Sequence, residues 1–235
     1  MMPLISIGPL RLSTYGLVLI AMAGLWWWWS ELRIRRTTGI DADQLLGLML
    51  VGAWVGGRLW YVVGSEAIVA QLQNYRSLEF AWPGACLGAM SVLVVLTVRK
   101  SQPTVQFLSA LALPTLVVQA GGAIGMFIAG IGMGEPWQGI WAIELAGTFR
   151  HPVQLYEAMV AVLGAIVCVV LQRRNYAFGH VVLLACVATN WLLVEGFRAQ
   201  SPYLPGGIHV AQVIGLVLLI VACEYGIHMN KVHSR

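Results

Sequence analysis

The sequence has 235 residues, of which 59% are hydrophobic and only 10% are charged, with a formal net charge of +4. This composition excludes an ordinary soluble domain, in which about 25% of residues are charged. The basic residues stand in twos and threes beside apolar runs rather than in one patch, so we predict no nucleic-acid partner. The sequence therefore predicts a single integral membrane domain over residues 1–235.

Seven apolar runs predict an all-α, polytopic membrane fold with about seven transmembrane helices, since a hydrocarbon core about 30 Å thick needs about 20 helical residues. In chain order the runs cover residues 15–30, 44–64, 79–98, 107–133, 153–172, 178–197 and 208–225. The fourth run is longer than one crossing and rich in glycine over residues 121–134. It is left open whether that half is a continuous helix, a broken helix or a re-entrant segment.

The loop charges predict the orientation, because basic residues are enriched on the cytoplasmic side of membrane proteins. Seven crossings place most of the bases on one side: Arg33, Arg35, Arg36, Arg99, Lys100, Arg173, Arg174, Lys231 and Arg235. The opposite side has Arg11, Arg76, Arg150 and Arg198. This bias predicts an external N-terminus and a cytoplasmic C-terminus.

Two spacings of small residues predict close helix packing: Gly52-x3-Gly56 in the second run and Gly84-x3-Gly88 in the third. The four cysteines lie inside apolar runs, with no CxxC motif and no histidine at metal-ligand spacing. We therefore predict no metal site.

Charged residues near or within the runs are the candidate functional residues, because a charge at membrane depth costs at least about 2.5 kcal/mol on insertion scales. They come from the segments GGRLWY (56–61), RHPVQLYE (150–157) and VEGFR (194–198), with Tyr15 at the start of the first run. Arginines from several helices could line a cavity for an anionic headgroup, and a histidine at its rim could move a proton. For a single arginine the alternative is an interface anchor or an interhelical ion pair. Phospholipid binding, phosphoryl chemistry and anion transport all remain open at this point.

The order of these segments resembles the prolipoprotein diacylglyceryl transferase family along nearly the whole chain. HPVQLYE at residues 151–157 is similar to the family's HP-x-QLYE run, and this is the most specific match. SIGP at 6–9 with Tyr15-Gly16 resembles the family's N-terminal segment, GGRLWY its GGR-x-x-Y element, and EGFR at 195–198 its E-x-FR element. Gln212 stands in the place of the glutamine in the family's last helix.

The resemblance implies transfer of a diacylglyceryl group from phosphatidylglycerol to the thiol of a lipobox cysteine in a preprolipoprotein, with release of glycerol phosphate and without a cofactor. It also implies a multi-pass protein of the bacterial plasma membrane, surrounded by membrane lipids. Carried onto this sequence, the catalytic residues are Arg198, His151, Glu157 and Tyr15. The substrate-binding residues are Arg58, Arg150, Gln154, Tyr61, Tyr156, Glu195 and Gln212.

The sequence departs from the family pattern at two places. The signature GR-x-GN-x-x-N-x-E is here GAIGMFIAGI at residues 122–131, so that Ala123 and Met126 replace an arginine and an asparagine. The family's HGG element has Pro83 in place of histidine. Three hypotheses follow: a working transferase, a catalytically impaired relative that binds an anionic phospholipid, and a small anion transporter.

Overall fold

The computed structural model describes residues 4–7, 10–63, 82–173, 178–199 and 207–233. These residues are mostly helical, with two short antiparallel hairpins. The helices are α1 (Thr14–Thr38), α2 (Asp43–Val63), α3 (Trp82–Arg99), α4 (Thr104–Ala129), α5 (Val153–Gln172), α6 (Gly179–Thr189) and α7 (Val210–His233). The first hairpin pairs β1 (Leu4–Ile7) with β2 (Leu10–Ser13), and the second pairs β3 (Ile143–Leu145) with β4 (Thr148–Arg150).

Each predicted apolar run contains a helix, and within the described residues five helical segments are long and apolar enough to cross a membrane. They are Asp43–Val62, Thr104–Ala129, Val153–Gln172, Gly179–Phe197 and Val210–Met229. The apolar part of α3, Gly84–Arg99, is shorter. Helix α1 carries four consecutive tryptophans at 26–29, a residue type typical of the membrane interface, followed by charged residues.

Some predicted features lie outside the described residues. They are Gly64 at the end of the second run, residues 79–81 at the start of the third, the dipeptide Gly8-Pro9, and the bases Arg76, Arg174 and Arg235. The orientation of the chain and the total of seven crossings therefore stay predictions.

The glycine-rich half of the fourth run is a continuous helix as far as Ala129, so a broken or re-entrant segment is not what this part of the run forms. The chain leaves the helix at Gly130 and Gly132, which both have φ +67, a conformation that favours glycine. Two earlier glycines of α4 leave space for side chains of α1. At Gly125 a Cβ would lie only 2.7 Å from Val18 Cγ1, so a larger residue would clash there. One turn further along α4, toward its N-terminus, Gly121 faces Met22 in the same way.

The chain forms two compact units, Ser30–Phe107 on the one hand and Met1–Trp29 with Leu108–Arg235 on the other. In the first unit, α2 and α3 pack through glycines, as the sequence predicted. A Cβ at Gly52 would lie 2.9 Å from Gly88 O, and one at Gly56 would lie 2.9 Å from Gly88 Cα. The glycines therefore let the two backbones touch.

In the second unit, α6 is extended by a π-helix, Asn190–Val194, and a 3-10 turn, Glu195–Phe197. Gly215 of α7 packs on the backbone of this extension, where a Cβ would lie 2.6 Å from Leu192 N. On its other side α6 packs on α5, with Cys186 against Gly164. This packing brings the end of the α6 extension to the beginning of α5.

Candidate functional site

A short loop after α4, residues 130–134, accepts hydrogen bonds from three side chains that sequence reasoning had selected; we call it the glycine loop. Gln154 Nε2 donates to Ile131 O at 2.7 Å, and Arg150 Nη1 donates to Gly134 O at 3.1 Å. Arg198 Nη1 donates to Gly132 O at 3.4 Å. The loop therefore ties together three parts of the chain, the start of α5, the end of β4 and the end of the α6 extension.

Backbone hydrogen bonds connect the same parts of the chain. Isolated antiparallel bridges join Gly134 to Arg198 and Pro136 to Arg150. Glu135 N donates to Phe197 O at 2.8 Å, and His151 N donates to Glu135 O at 3.1 Å. The segment after the glycine loop thus lies as a short strand between the β4–α5 connection and the end of the α6 extension.

Arg198 holds two carboxylates from different helices, and we call these three residues the ion cluster. Its Nε donates to Glu195 Oε2 at 3.0 Å, and its Nη2 pairs with Glu157 Oε1. The side chains are largely buried, at 18% exposure for Arg198 and 16% for Glu157. A guanidinium suits this arrangement because its planar fork can serve several acceptors at once. Counted formally, the cluster carries two negative charges and one positive charge.

Two further predicted residues lie beside the glycine loop, and each has a buried polar atom that no described residue bonds. Gln154 is fully buried, and its Oε1 has no hydrogen-bond partner among the described residues. Arg150 likewise has a buried Nε that no described residue bonds. Arg150 therefore has a cationic group that is not neutralised by any carboxylate in an ion pair of the described part of the chain.

His151 lies in an aromatic cage just before α5. Its ring stacks on Trp137 with centroids 4.3 Å apart and touches Phe197 at 4.7 Å. Its Nδ1 lies 3.2 Å from the Tyr156 hydroxyl. Burial lowers the pKa of His151 below its usual 6.5, while Glu135 opposes this shift. The imidazole is therefore mainly neutral at pH 7 and able to accept a proton.

Tyr15 lies on the side of the site that is formed by α4. It packs on a buried apolar cluster formed by Ala123, Met126 and Ala158. Ala158 is the residue after Glu157, so Tyr15 packs beside the turn of α5 that carries this carboxylate. The two positions that depart from the family signature therefore lie against a predicted catalytic tyrosine.

Gln212 uses both ends of its amide to hold the backbone. Its Nε2 donates to Leu192 O at 3.2 Å, and its Oε1 accepts from His209 N at 3.2 Å. Through these two hydrogen bonds Gln212 links the beginning of α7 to the π-helix.

Arg58 and Tyr61 lie in the other compact unit, with the Arg58 guanidinium 5.8 Å from the Tyr61 ring centroid. Their convergence with the other site residues stays a prediction. The structure brings together nine of the predicted residues within one unit: Tyr15, Arg150, His151, Gln154, Tyr156, Glu157, Glu195, Arg198 and Gln212.

A family model for prolipoprotein diacylglyceryl transferase matches residues 3–227. The chain belongs to this family. Among curated relatives, the phosphatidylglycerol–prolipoprotein diacylglyceryl transferase of Solidesulfovibrio magneticus is 30% identical, over 92% of this chain and 89% of the relative. The enzyme of the same name from Symbiobacterium thermophilum is 28% identical, over 92% of this chain and 88% of the relative. That of Ligilactobacillus salivarius is 27% identical, over 93% and 89%.

Family membership and the five apolar helices together make this a multi-pass membrane protein of a transferase family. Sequence reasoning missed two features of the site. The glycine loop works through its carbonyl oxygens, for which a glycine-rich sequence gives no specific signal. Asn190, a buried polar residue at the start of the π-helix, stood in the sixth apolar run as a visible exception to its hydrophobicity.

Proposed function

We propose that this protein transfers a diacylglyceryl group from phosphatidylglycerol to the lipobox cysteine of a preprolipoprotein, in the plasma membrane of a bacterium. The observation that supports this most is the ion cluster beside His151. Its members come from two of the segments that resemble the family, HPVQLYE and EGFR. The names of the relatives from Symbiobacterium thermophilum and Ligilactobacillus salivarius describe the same pair of substrates.

The reaction sets clear demands on the site. The cysteine sulfur attacks the glyceryl carbon that is bonded to the phosphate oxygen, so that an S–C bond forms and the C–O bond breaks. The electron pair leaves with glycerol phosphate, and the thiol proton passes to a base because the thiolate is the nucleophile. The site therefore needs a base near the thiol and cationic groups near the departing phosphate.

We assign the phosphate to Arg150. Arg150 has a buried Nε without a bond to any described residue, whereas Arg198 already serves Glu157, Glu195 and Gly132 O. Arg198 is then a positioning residue that fixes two carboxylates, and its own charge is largely compensated. Tyr15 and Gln154 position the lipid.

His151 is our candidate for the base. Its lowered pKa keeps the imidazole neutral at pH 7, and the Tyr156 hydroxyl beside Nδ1 orients the ring. Glu157, which follows in the same motif, is another group in this region able to receive a proton, and Arg198 holds its carboxylate in place.

A second candidate function is phospholipid binding with little or no turnover. It is favoured by the apolar cluster of Ala123, Met126 and Ala158 around Tyr15, because an arginine and an asparagine of the family signature are absent there. Loss of one donor to a developing anion typically costs about 3 to 4 kcal/mol of barrier. The two functions share the site and differ in rate.

Expression in a bacterium depleted of its own transferase tests the proposal. The intact protein is expected to restore growth, and Arg198→Ala is expected to abolish the rescue. Arg173→Ala, which removes an exposed arginine just after the other end of α5, serves as the matched control and should still rescue. Failure of the intact, membrane-inserted protein to rescue would favour the second candidate.

A further inference from the structure

Asn190 lies in the membrane-spanning part of the protein, and its buried side-chain amide has no hydrogen bond to any residue that the structure describes. The residue is 5% exposed, and neither its Oδ1 nor its Nδ2 has a partner among the described residues. A buried polar group left unsatisfied costs about 1 to 3 kcal/mol. An apolar residue at this position would remove that cost, so the amide calls for a functional explanation.

The packing of α6 on α5 fixes where Asn190 lies. It is four residues after Cys186 on α6 and therefore on the same face. Cys186 contacts Gly164 of α5, and its Sγ lies 4.0 Å from Val160 O. Since α5 and α6 run in opposite directions, one turn further along α6 corresponds to one turn earlier on α5. That level is the level of Glu157.

The π-helix gives a second reference point. Glu195 N donates its backbone hydrogen bond to Asn190 O, so Glu195 stands one turn beyond Asn190. Glu195 and Glu157 are both held by Arg198. Asn190 therefore lies on the membrane-interior side of the ion cluster, on the face of the α6 extension that is directed toward α5. π-Helical turns inside longer helices are frequent at functional sites.

We propose that Asn190 binds an ester carbonyl of the glycerolipid, by donating a hydrogen bond from Nδ2. This inference rests on the proposed function, since it assigns a contact to the lipid substrate. In a glycerophospholipid the ester carbonyls lie a few bonds deeper in the membrane than the phosphate. Asn190 lies about one helical turn, or about 5.4 Å, deeper than Glu195, which matches that order of groups.

Lipid-dependent thermal unfolding of the purified protein tests the contact without requiring turnover. Diester phosphatidylglycerol is expected to raise the Tm of the wild type more than diether phosphatidylglycerol, which has the same headgroup but no ester carbonyl. Asn190→Leu is expected to raise the Tm in detergent alone, to weaken diester binding roughly tenfold and to bind both lipids equally. Asn190→Ala should show the same loss of preference if the leucine variant does not fold.

Thr189→Val is the matched control. Thr189 is the neighbouring residue, and its hydroxyl is bonded to Ala185 O of its own helix at 2.8 Å. This variant should keep the preference for the diester lipid. A wild type that shows no preference, or an Asn190→Leu variant that keeps it, overturns the proposal and leaves at most a buried water at the amide.

The same samples separate this inference from the proposed function. If the wild type prefers the diester lipid, Asn190→Leu loses this preference and the wild type transfers no lipid to a lipobox peptide, the result contradicts the transferase function and supports the Asn190 contact. Wild-type protein that transfers lipid while Asn190→Leu retains its wild-type KM and lipid preference supports the transferase and overturns the contact.

Discussion

The two sides of the candidate site differ in how they treat charge. On the side of α5 and the α6 extension, Arg198 holds Glu157 and Glu195, and Arg150 and Gln154 fix the glycine loop. On the side of α4, where the family carries polar residues, alanine and methionine form an apolar cluster with Tyr15. The comparison shows that the polar residues on the first side also hold the fold, whereas the second side is held by apolar packing.

This difference suggests that the ion cluster has a structural role as well as a chemical one. Its arginine is paired with both carboxylates inside the protein and also donates a hydrogen bond to a carbonyl of the glycine loop. The side chains of Ala123, Met126 and Ala158 carry no charge and form no ion pair of this kind. Variants on the polar side should therefore change both stability and activity, whereas variants on the apolar side should mainly change the binding of anionic lipid.

The largest effect is expected for Arg198→Ala. Removal of one partner of a largely buried ion pair costs about 3 to 5 kcal/mol, because the remaining charges lose their compensation. We expect a transfer rate lowered roughly a thousandfold and a clearly reduced Tm, measured on the same purified sample. Arg198→Lys should recover only part of either quantity, since an ammonium cannot reproduce the planar fork. Full activity in either variant would show that the ion cluster is dispensable.

His151→Gln is expected to lower the transfer rate roughly a hundredfold if the imidazole is the base. The pKa of His151 lies below 6.5, so the wild-type rate should be constant near pH 7 and fall on the acid side of 6.5 as the ring takes up a proton. The pH profile of the transfer rate checks this. If the rate of His151→Gln falls at acid pH in the same way as that of the wild type, the fall is due to another group.

Gly132→Ala should lower the rate about tenfold. A Cβ at Gly132 would lie 2.7 Å from Arg198 Nη1, and the residue has φ +67, so the substitution both strains the loop and displaces the guanidinium. Gly130→Ala is the matched control, because Gly130 has the same φ but nothing within 4 Å of its Cβ position. Equal losses of activity and stability in the two variants would attribute the effect to backbone strain alone.

Ala123→Arg tests the apolar side and is expected to have the smallest effect, a several-fold increase in affinity for phosphatidylglycerol. Ala123 is 2% exposed, so the longer side chain must displace neighbours, which costs about 1 to 3 kcal/mol in addition to the cost of burying its charge. Ala123→Leu adds bulk without charge and should only destabilise the protein. Lipid affinity and Tm measured for both variants separate charge from crowding; equal affinities would place position 123 away from the phosphate.

The sequence predicted the helices better than it predicted the site. Long apolar runs are sufficient to locate spans, and the glycine spacings of α2 and α3 were correctly read as a packing surface. The spacing of Glu195 and Arg198 indicated their pairing, and the cost of a buried charge indicated that Glu157 needed a partner. Glu157 pairs with Arg198 because the glycine loop brings the end of the α6 extension to the start of α5. This arrangement depends on tertiary contacts, which the sequence pattern does not reveal.

Other features had no local signal. A π-helix uses the same apolar residues as an α-helix, so the extension Asn190–Val194 could not be told from the rest of the sixth run. The strands β3 and β4 have three residues each, too few for an alternating pattern. The acceptor role of the glycine loop belongs to backbone carbonyls, which every residue has.

The most direct test combines purified protein, phosphatidylglycerol labelled in its acyl chains and a lipobox peptide with a single cysteine. The account predicts that label appears on the peptide thiol, that glycerol phosphate is released in equal amount, and that Arg198→Ala abolishes both while Arg173→Ala does not. Folded wild-type protein that binds the lipid but leaves the thiol unmodified would contradict the account.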